Sequence, residues 1–348
     1  MLYVIVPILA LGLLMAVHEG GHFLIARAFG MRVLKYSIGF GPVLWSKKPK
    51  GSDTTYQIAL LPFLAYVQIA GMNPHEDIDP DDKKSYANAT WLGRFLTIVA
   101  GPLANYLFAV LIVFGLLLVA GRPAGIDGLK VGAVDDGGAA SAAHIQAEDE
   151  VKSVAGVQVK DWKEMRDQIQ AHKGIPMGMV VLRGDKLVEL SLTPSAKDGT
   201  IGVHAKELRE KVGVLEAGKE ALIRPPETAF AMIKGFGRLI TGKEKAELRG
   251  PVGIVQEAGT QLRNGAAVFV EWIALLSIYL CVFNLLPFPA LDGGRLVFLL
   301  YEFVARRRPD AKVEARVHMV GLLALLTLMI PIFFKEIFQT VAGLFVRG

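Results

Sequence analysis

Apolar residues run without a charge from Met1 to Val17 and return in long stretches further along the chain. About 20 consecutive apolar residues cross a bilayer. The pattern therefore predicts four membrane-spanning helices, from about Leu2 to Ala28, Phe95 to Ala120, Ala266 to Leu286 and Val317 to Phe334. Pro7 is a tolerated irregularity in the first, whereas Gly101-Pro102 is expected to break the second early. The first run reads as a retained span, because no basic residue precedes Arg27 and no small-residue cleavage pattern ends it.

Between the spans the pattern changes twice. From 33 to 72, Ser37-Ile38-Gly39-Phe40-Gly41-Pro42 is rich in helix breakers, and Thr54 to Leu61 and Leu64 to Ala70 are rich in strand formers. This predicts one or two β-hairpins, too apolar to lie wholly in water. Such backbone at membrane depth needs cover from protein or a water cavity. Its edge either accepts an extended substrate as another strand or is a structural plug. Residues 73–90 form an acidic loop without the glycine and glutamate positions of a calcium site, and are expected to be solvated.

From 122 to 204 the chain reads as one small α+β domain. Its expected elements are a strand at Val131 to Val134, a helix at Ala139 to Ile145 and strands through Val151 to Val159. An Asp161-capped helix runs to Gln170, and strands Met179 to Arg183 and Leu187 to Leu192 join through Gly184-Asp185. In the mixed segment 205–265, Lys211 to Phe236 has helical periodicity interrupted by Arg224-Pro225-Pro226. Apolar positions interleaved with Lys and Arg there suit a helix lying along the outer leaflet. A membrane core is thus expected at 1–121 and 266–348.

The whole chain has 348 residues, 52% of them apolar and only 20% charged, below the roughly 25% of a soluble domain. A net charge of +5 gives no reason to expect nucleic acid as a partner. One cysteine, Cys281, excludes an intramolecular disulfide and a multi-cysteine zinc site. Arg27, Arg32 and Lys35 follow span one, and Arg295 and Arg306 to Arg308 follow span three. By the positive-inside rule these ends face the cytoplasm, with both termini and residues 122–265 outside.

Chemistry enters at the end of span one, in Val17-His18-Glu19-Gly20-Gly21-His22-Phe23. Residues four apart share a helix face, so His18 and His22 can grip one metal ion. Glu19 can then reach a bound water as a base. Ionisable groups at membrane depth are costly and functional by default, the competing explanation being a satisfied buried hydrogen-bond cluster. Catalytic zinc takes three protein ligands and leaves a position for water. The best third candidate is Asp292, at the inner end of span three, although it can also cap the turn at Gly293-Gly294. Asn284 is placed to hold substrate backbone or a developing oxyanion. Asn105, a polar amide in span two, either orients the site or satisfies a freed backbone group.

Five motifs occur in order: His18-Glu19-Gly20-Gly21-His22, Ser37-Ile38-Gly39-Phe40-Gly41, Gly101-Pro102-Leu103-Ala104-Asn105, Gly250-Pro251-Val252-Gly253, and Asn284 through Pro287, Pro289 and Leu291 to Asp292-Gly293-Gly294. Together they resemble a bacterial site-2 protease of the regulator-of-sigma-E protease branch. The resemblance implies a polytopic α-helical protein of the bacterial inner membrane, with four transmembrane helices, a membrane-associated β-hairpin region and an extracytoplasmic PDZ-like domain at 122–204. It implies Zn2+ on His18, His22 and Asp292, Glu19 as catalytic base, and Asn284 with Pro287 and Pro289 holding substrate. Substrates would be single-span membrane proteins of the anti-sigma-factor type and signal-peptide remnants, with the PDZ-like domain as a size filter. Two departures stand out. There is room for one PDZ-like domain where well-known members carry two. The family's Gly-Gly-Tyr-Val appears as Leu64-Ala65-Tyr66-Val67, which bears on substrate docking at Tyr66 and Val67. The alternative from another class is a membrane adaptor with a structural metal. A zinc transporter is disfavoured by the lack of an internal repeat or a path of ligands.

Overall fold

The computed structural model describes residues 1–73, 76, 79–135, 137–242 and 249–346. Part of the acidic loop (74, 75, 77 and 78) and of the charged stretch (243–248) lies outside these. The first elements are helix α1 (Leu2–Ala28), strands β1 (Val33–Lys47) and β2 (Thr55–Ile69), and helix α2 (Trp91–Ala120). Then come strand β3 (Arg122–Val134), helix α3 (Ala139–Ala142), strands β4 (Glu150–Val154) and β5 (Val157–Gln158), and helix α4 (Trp162–Ala171). Strands β6 (Met177–Arg183), β7 (Lys186–Leu192) and β8 (Val203–Glu210) follow. Helices α5 (Val214–Ile240), α6 (Pro251–Arg263), α7 (Ala266–Leu285), α8 (Asp292–Ala305) and α9 (Ala311–Val346) complete the chain. Two compact units result: Met1–Val113 with Lys219–Gly259 and Trp272–Gly348, and Phe114–Gly218 with Thr260–Glu271.

Among the described residues four helices are long and apolar enough to cross a membrane: α1, α2, α7 and the Ala311–Thr340 part of α9. With the β region between α1 and α2, this is a polytopic membrane protein. Two expectations are corrected. Helix α2 does not break at Gly101-Pro102 but runs on from Trp91, where the Thr90 hydroxyl accepts from Gly93 N–H at 3.2 Å. Pro102 removes only one donor from a 30-residue ladder, a loss that apolar helices tolerate. Likewise α5 continues through Pro225 and Pro226, because helical periodicity on both sides carries the ladder past two missing donors.

In the first unit, β1 and β2 form the hairpin sheet, and each is folded so that its halves have different neighbours. Tyr36 to Ile38 pair on one side with Val67 to Ala65 and on the other with Tyr56 to Ile58, while Val43 to Lys47 pair with Ala59 to Tyr56. The segment from Ala65 to Ile69 is thereby left with one edge that no strand covers among the described residues. Exposed Phe40, Val43, Leu44, Trp45 and Leu60 make the sheet surface apolar, as its composition predicts.

The second unit contains a sheet of order β7-β6-β4-β3-β8, with β5 on β4. Its core is Val131, Val151, Val154, Met165, Ile169, Met179 and Val181. Asp161 caps α4 by accepting from Glu164 N–H at 2.8 Å, and Trp162 anchors it by donating from Nε1 to Gly128 O at 2.8 Å. Strand β8 continues to Glu210, so the expected domain end at 204 falls inside a strand.

Asp149 is 1% exposed and receives Arg183 at 2.8 and 2.7 Å and Gln146 N–H at 2.8 Å. Burial alone would raise its carboxyl, but the Arg183 and Gln146 hydrogen bonds outweigh it and hold the carboxyl below the usual range. A depressed native value means stability that is full above the unfolded value of about 4 and is lost as pH falls through the native value. Arg183→Ala is expected to destabilise this unit by about 3 kcal/mol, near the low end for a broken buried pair because Arg183 is 31% exposed. Thermal unfolding of the two proteins should show that gap near pH 7 and a smaller one below pH about 4.

Candidate metal centre

Helix α1 brings His18 and His22 to one face, and both are buried. Its partner across the site is α2, and the two helices approach closely through glycine. A Cβ at Gly21 would lie 2.1 Å from Ala100 O, and one at Gly101 would lie 2.2 Å from His22 Nε2. Asp292 arrives from the other end of the chain. After α7, the Pro287-Phe288-Pro289 segment turns the backbone, with Ala290 at φ 77°, and Leu291 occupies the N-cap position of α8, so that Asp292 becomes its first residue. The Ala290 N–H donates to His318 Nδ1 on α9 at 2.9 Å, which ties the turn down.

The three side chains meet. His18 Nε2 lies 3.1 Å and His22 Nε2 3.4 Å from Asp292 Oδ2, and the two Nε2 atoms are 3.3 Å apart. Asp292 does not cap its own turn, and Oδ2 is buried without a hydrogen-bond donor.

Protons on the rings follow from their far sides. His22 Nδ1 is 2.7 Å from Thr97 O, which can only accept, so Nδ1 carries a hydrogen, and in the neutral ring, the form that binds a metal, Nε2 keeps a lone pair. His18 Nδ1 is 3.4 Å from the amide of fully buried Asn105, whose Oδ1 has no donor. Turning that amide over gives Oδ1 a donor in His18 Nδ1–H and leaves a lone pair on His18 Nε2 as well. Three electron pairs then face one point, an arrangement that repels itself without a cation. Ligand atoms on a tetrahedral ion with bonds of about 2.0–2.1 Å stand about 3.3 Å apart, so the triangle fits zinc.

Outer partners of ligating histidines fix tautomer and ring angle. Asn105 is itself held, since its backbone carbonyl accepts from Ser277 on α7 at 2.8 Å. Of the two roles open to Asn105, the geometry favours orienting the site. Asn105→Leu is expected to weaken zinc binding about 10–100-fold, measured by competition with a chelator, with the helices intact.

A model of peptidase family M50 matches residues 6–328. The chain belongs to that family, the site-2 proteases. This peptidase is 29% identical to the zinc metalloprotease RasP of Geobacillus kaustophilus, over 95% of the chain and 96% of the relative. It is 32% identical to the Nostoc sp. protein all3971, also described as a zinc metalloprotease, over 97% and 96%. A zinc metalloprotease of this class needs a base and a substrate cleft beside its ligands. Glu19 is half-buried, and its Oε2 accepts from Val67 N–H on the open edge of β2 at 3.0 Å. Tyr66 lies next on that edge, its hydroxyl accepting from Gln57 at 2.9 Å.

The other expected residues are less gathered. Asn284 spends its amide Nδ2 on Leu280 O at 3.0 Å in its own helix. Pro287 is exposed, and Pro289 packs where a Cβ at Gly321 would come within 2.3 Å. Three contributors escaped the sequence reading. Thr97 acts through a backbone carbonyl and has no side-chain signature. Gly101 was read as a helix breaker, although its place in a run with Asn105 hinted at close packing. His318 had a visible signal, an imidazole at the start of an apolar helix.

Proposed function

We propose that the peptidase cuts peptide bonds inside the transmembrane segments of single-span proteins, with zinc on His18, His22 and Asp292 and with Glu19 as base. The observation that carries this reading is the convergence of His18 and His22, on a helix fit to span a bilayer, with the Asp292 carboxylate at the start of α8, all three ligand atoms 3.1–3.4 Å apart. Zinc bound there supplies a Lewis acid that polarises the scissile carbonyl and brings the pKa of water to about 7. Glu19 takes the proton of the attacking water and passes it to the leaving amine. Thr97 and Asn105 hold the imidazoles so that neither ring turns during the reaction.

A membrane helix conceals its peptide bonds in its own hydrogen bonds, so the substrate must unwind locally. The open edge of β2 offers replacement partners, and Val67, whose N–H already reaches Glu19, sets where the strand lies. Asn284, with Nδ2 engaged, has Oδ1 to offer a substrate N–H, and Pro287 and Pro289 shape the turn that follows it. This favours backbone holding over oxyanion stabilisation for Asn284.

The remaining proposals rest on the resemblance. The protein lies in the bacterial inner membrane with termini and PDZ-like domain outside and the site near the cytoplasmic face. Its substrates are of the anti-sigma-factor type, already trimmed outside, and the single PDZ-like domain sorts them by size.

The test uses purified protein in detergent and a tagged single-span substrate. Cleavage within the span should stop with a zinc chelator and return with Zn2+ but not Mg2+. Cleavage indifferent to chelation would remove the metal from the mechanism.

A further inference from the structure

Arg295 follows Asp292 by three residues and shares its face of the first turn of α8. Its side chain lines a groove of about 380 Å³ together with Tyr66, Val67, Gln68, Ile69 and Glu76. The groove therefore runs along the uncovered edge of β2, the edge on which Val67 N–H reaches Glu19. A strand laid there passes both Glu19 and Arg295.

Other arginines nearby are engaged. Arg32 holds Asp82 at 2.6 Å, Arg94 holds both oxygens of Glu302 at 2.9 and 2.7 Å, and Arg308 holds Ala87 O at 2.6 Å. Half-buried Arg295 makes no hydrogen bond or ion pair among the described residues. The acids close to it are otherwise placed. Glu76 Oε2 accepts from Gly71 N–H at 2.6 Å, and Glu314, which feels the Arg295 charge across a second cavity without an ion pair, lies 4.0 Å from His318 Nε2. A half-buried guanidinium whose donors meet no acceptor among the described residues is unfavourable, and its fork of donors matches a carboxylate.

We propose that Arg295 forms a subsite for a carboxylate of the substrate strand, so that the peptidase favours substrates with an acidic group at one register position beside the scissile bond. The proposal rests on the protease reading above. The carboxylate belongs either to an Asp or Glu side chain or to the C-terminus of a shortened substrate.

The test uses the full zinc-loaded chain in detergent. A single-span substrate series carries Asn or Asp at each successive position on both sides of the cleavage point. At one position Asp should exceed Asn by about tenfold in kcat/KM, the gain of one charge-assisted pair. The ratio should fall to about one in Arg295→Gln, and Arg295→Glu should favour Lys at the same position. Ratios within one enzyme cancel any general loss of rate in a variant. A second series ends the substrate at that position as acid or amide; an Arg295-dependent gain confined to this series assigns the carboxylate to a chain terminus. Cleavage of the Asn series upholds the protease reading on its own. A flat Asp-to-Asn and acid-to-amide ratio in the unaltered protein, or a preference surviving in Arg295→Gln, overturns the subsite alone.

Discussion

Glu19→Gln is expected to keep one zinc per chain and to cleave a single-span substrate about 10²–10⁴-fold more slowly, the range of a lost general base. The proposed metal ligands are three other side chains, so the charge of Glu19 is not needed to hold the ion. Gln has the same shape, and its amide oxygen can still accept from Val67 N–H, so the β2 edge should stay where it is. What disappears is the group that takes a proton from water and returns it to the amine. Metal content by elemental analysis and kcat/KM on the same preparation separate this from His18→Ala, which should lose both. Undiminished cleavage by Glu19→Gln would end the assignment of the base.

Much of this site was legible because its chemistry is out of place in its surroundings. His18, Glu19 and His22 interrupt an apolar helix at a spacing that only a shared face explains, and Asp292 sits alone among apolar residues at a matching depth. Strand-forming composition likewise marked residues 33–72, and alternation with turn residues marked β6 and β7. Proline misled twice, in the same direction. Gly101-Pro102 and Pro225-Pro226 look like stops, yet a long helix loses only one or two bonds at each. Pairwise geometry was beyond reach. Nothing local says that Thr97 O meets His22, that Asn105 backs His18, or that β1 uses both of its edges on β2. Those facts depend on how elements far apart in sequence are packed, and a single chain records them only indirectly.

Gly101→Ala tests that packing with one methyl group. The new Cβ would lie 2.2 Å from His22 Nε2 and 2.5 Å from Cε1, well inside contact distance, and the atom it strikes is the one proposed to bind metal. Relief requires either that His22 rotates, breaking its 2.7 Å contact with Thr97 O, or that α2 withdraws from α1. Withdrawal would give up the close approach of the two helices at Gly21 and Ala100. Both responses spoil the triangle with His18 and Asp292. Zinc affinity is expected to fall by at least about 10–100-fold, as for loss of an outer partner, and cleavage to fall with it. The control is Gly115→Ala in the same helix, where nothing lies within 4 Å of the added carbon. There alanine should leave zinc and activity unchanged and add about 1 kcal/mol of helix propensity. Chelator competition on the two variants decides the matter: equal zinc affinity in Gly101→Ala and Gly115→Ala would show that the contact between α2 and His22 does not hold the ligand in place.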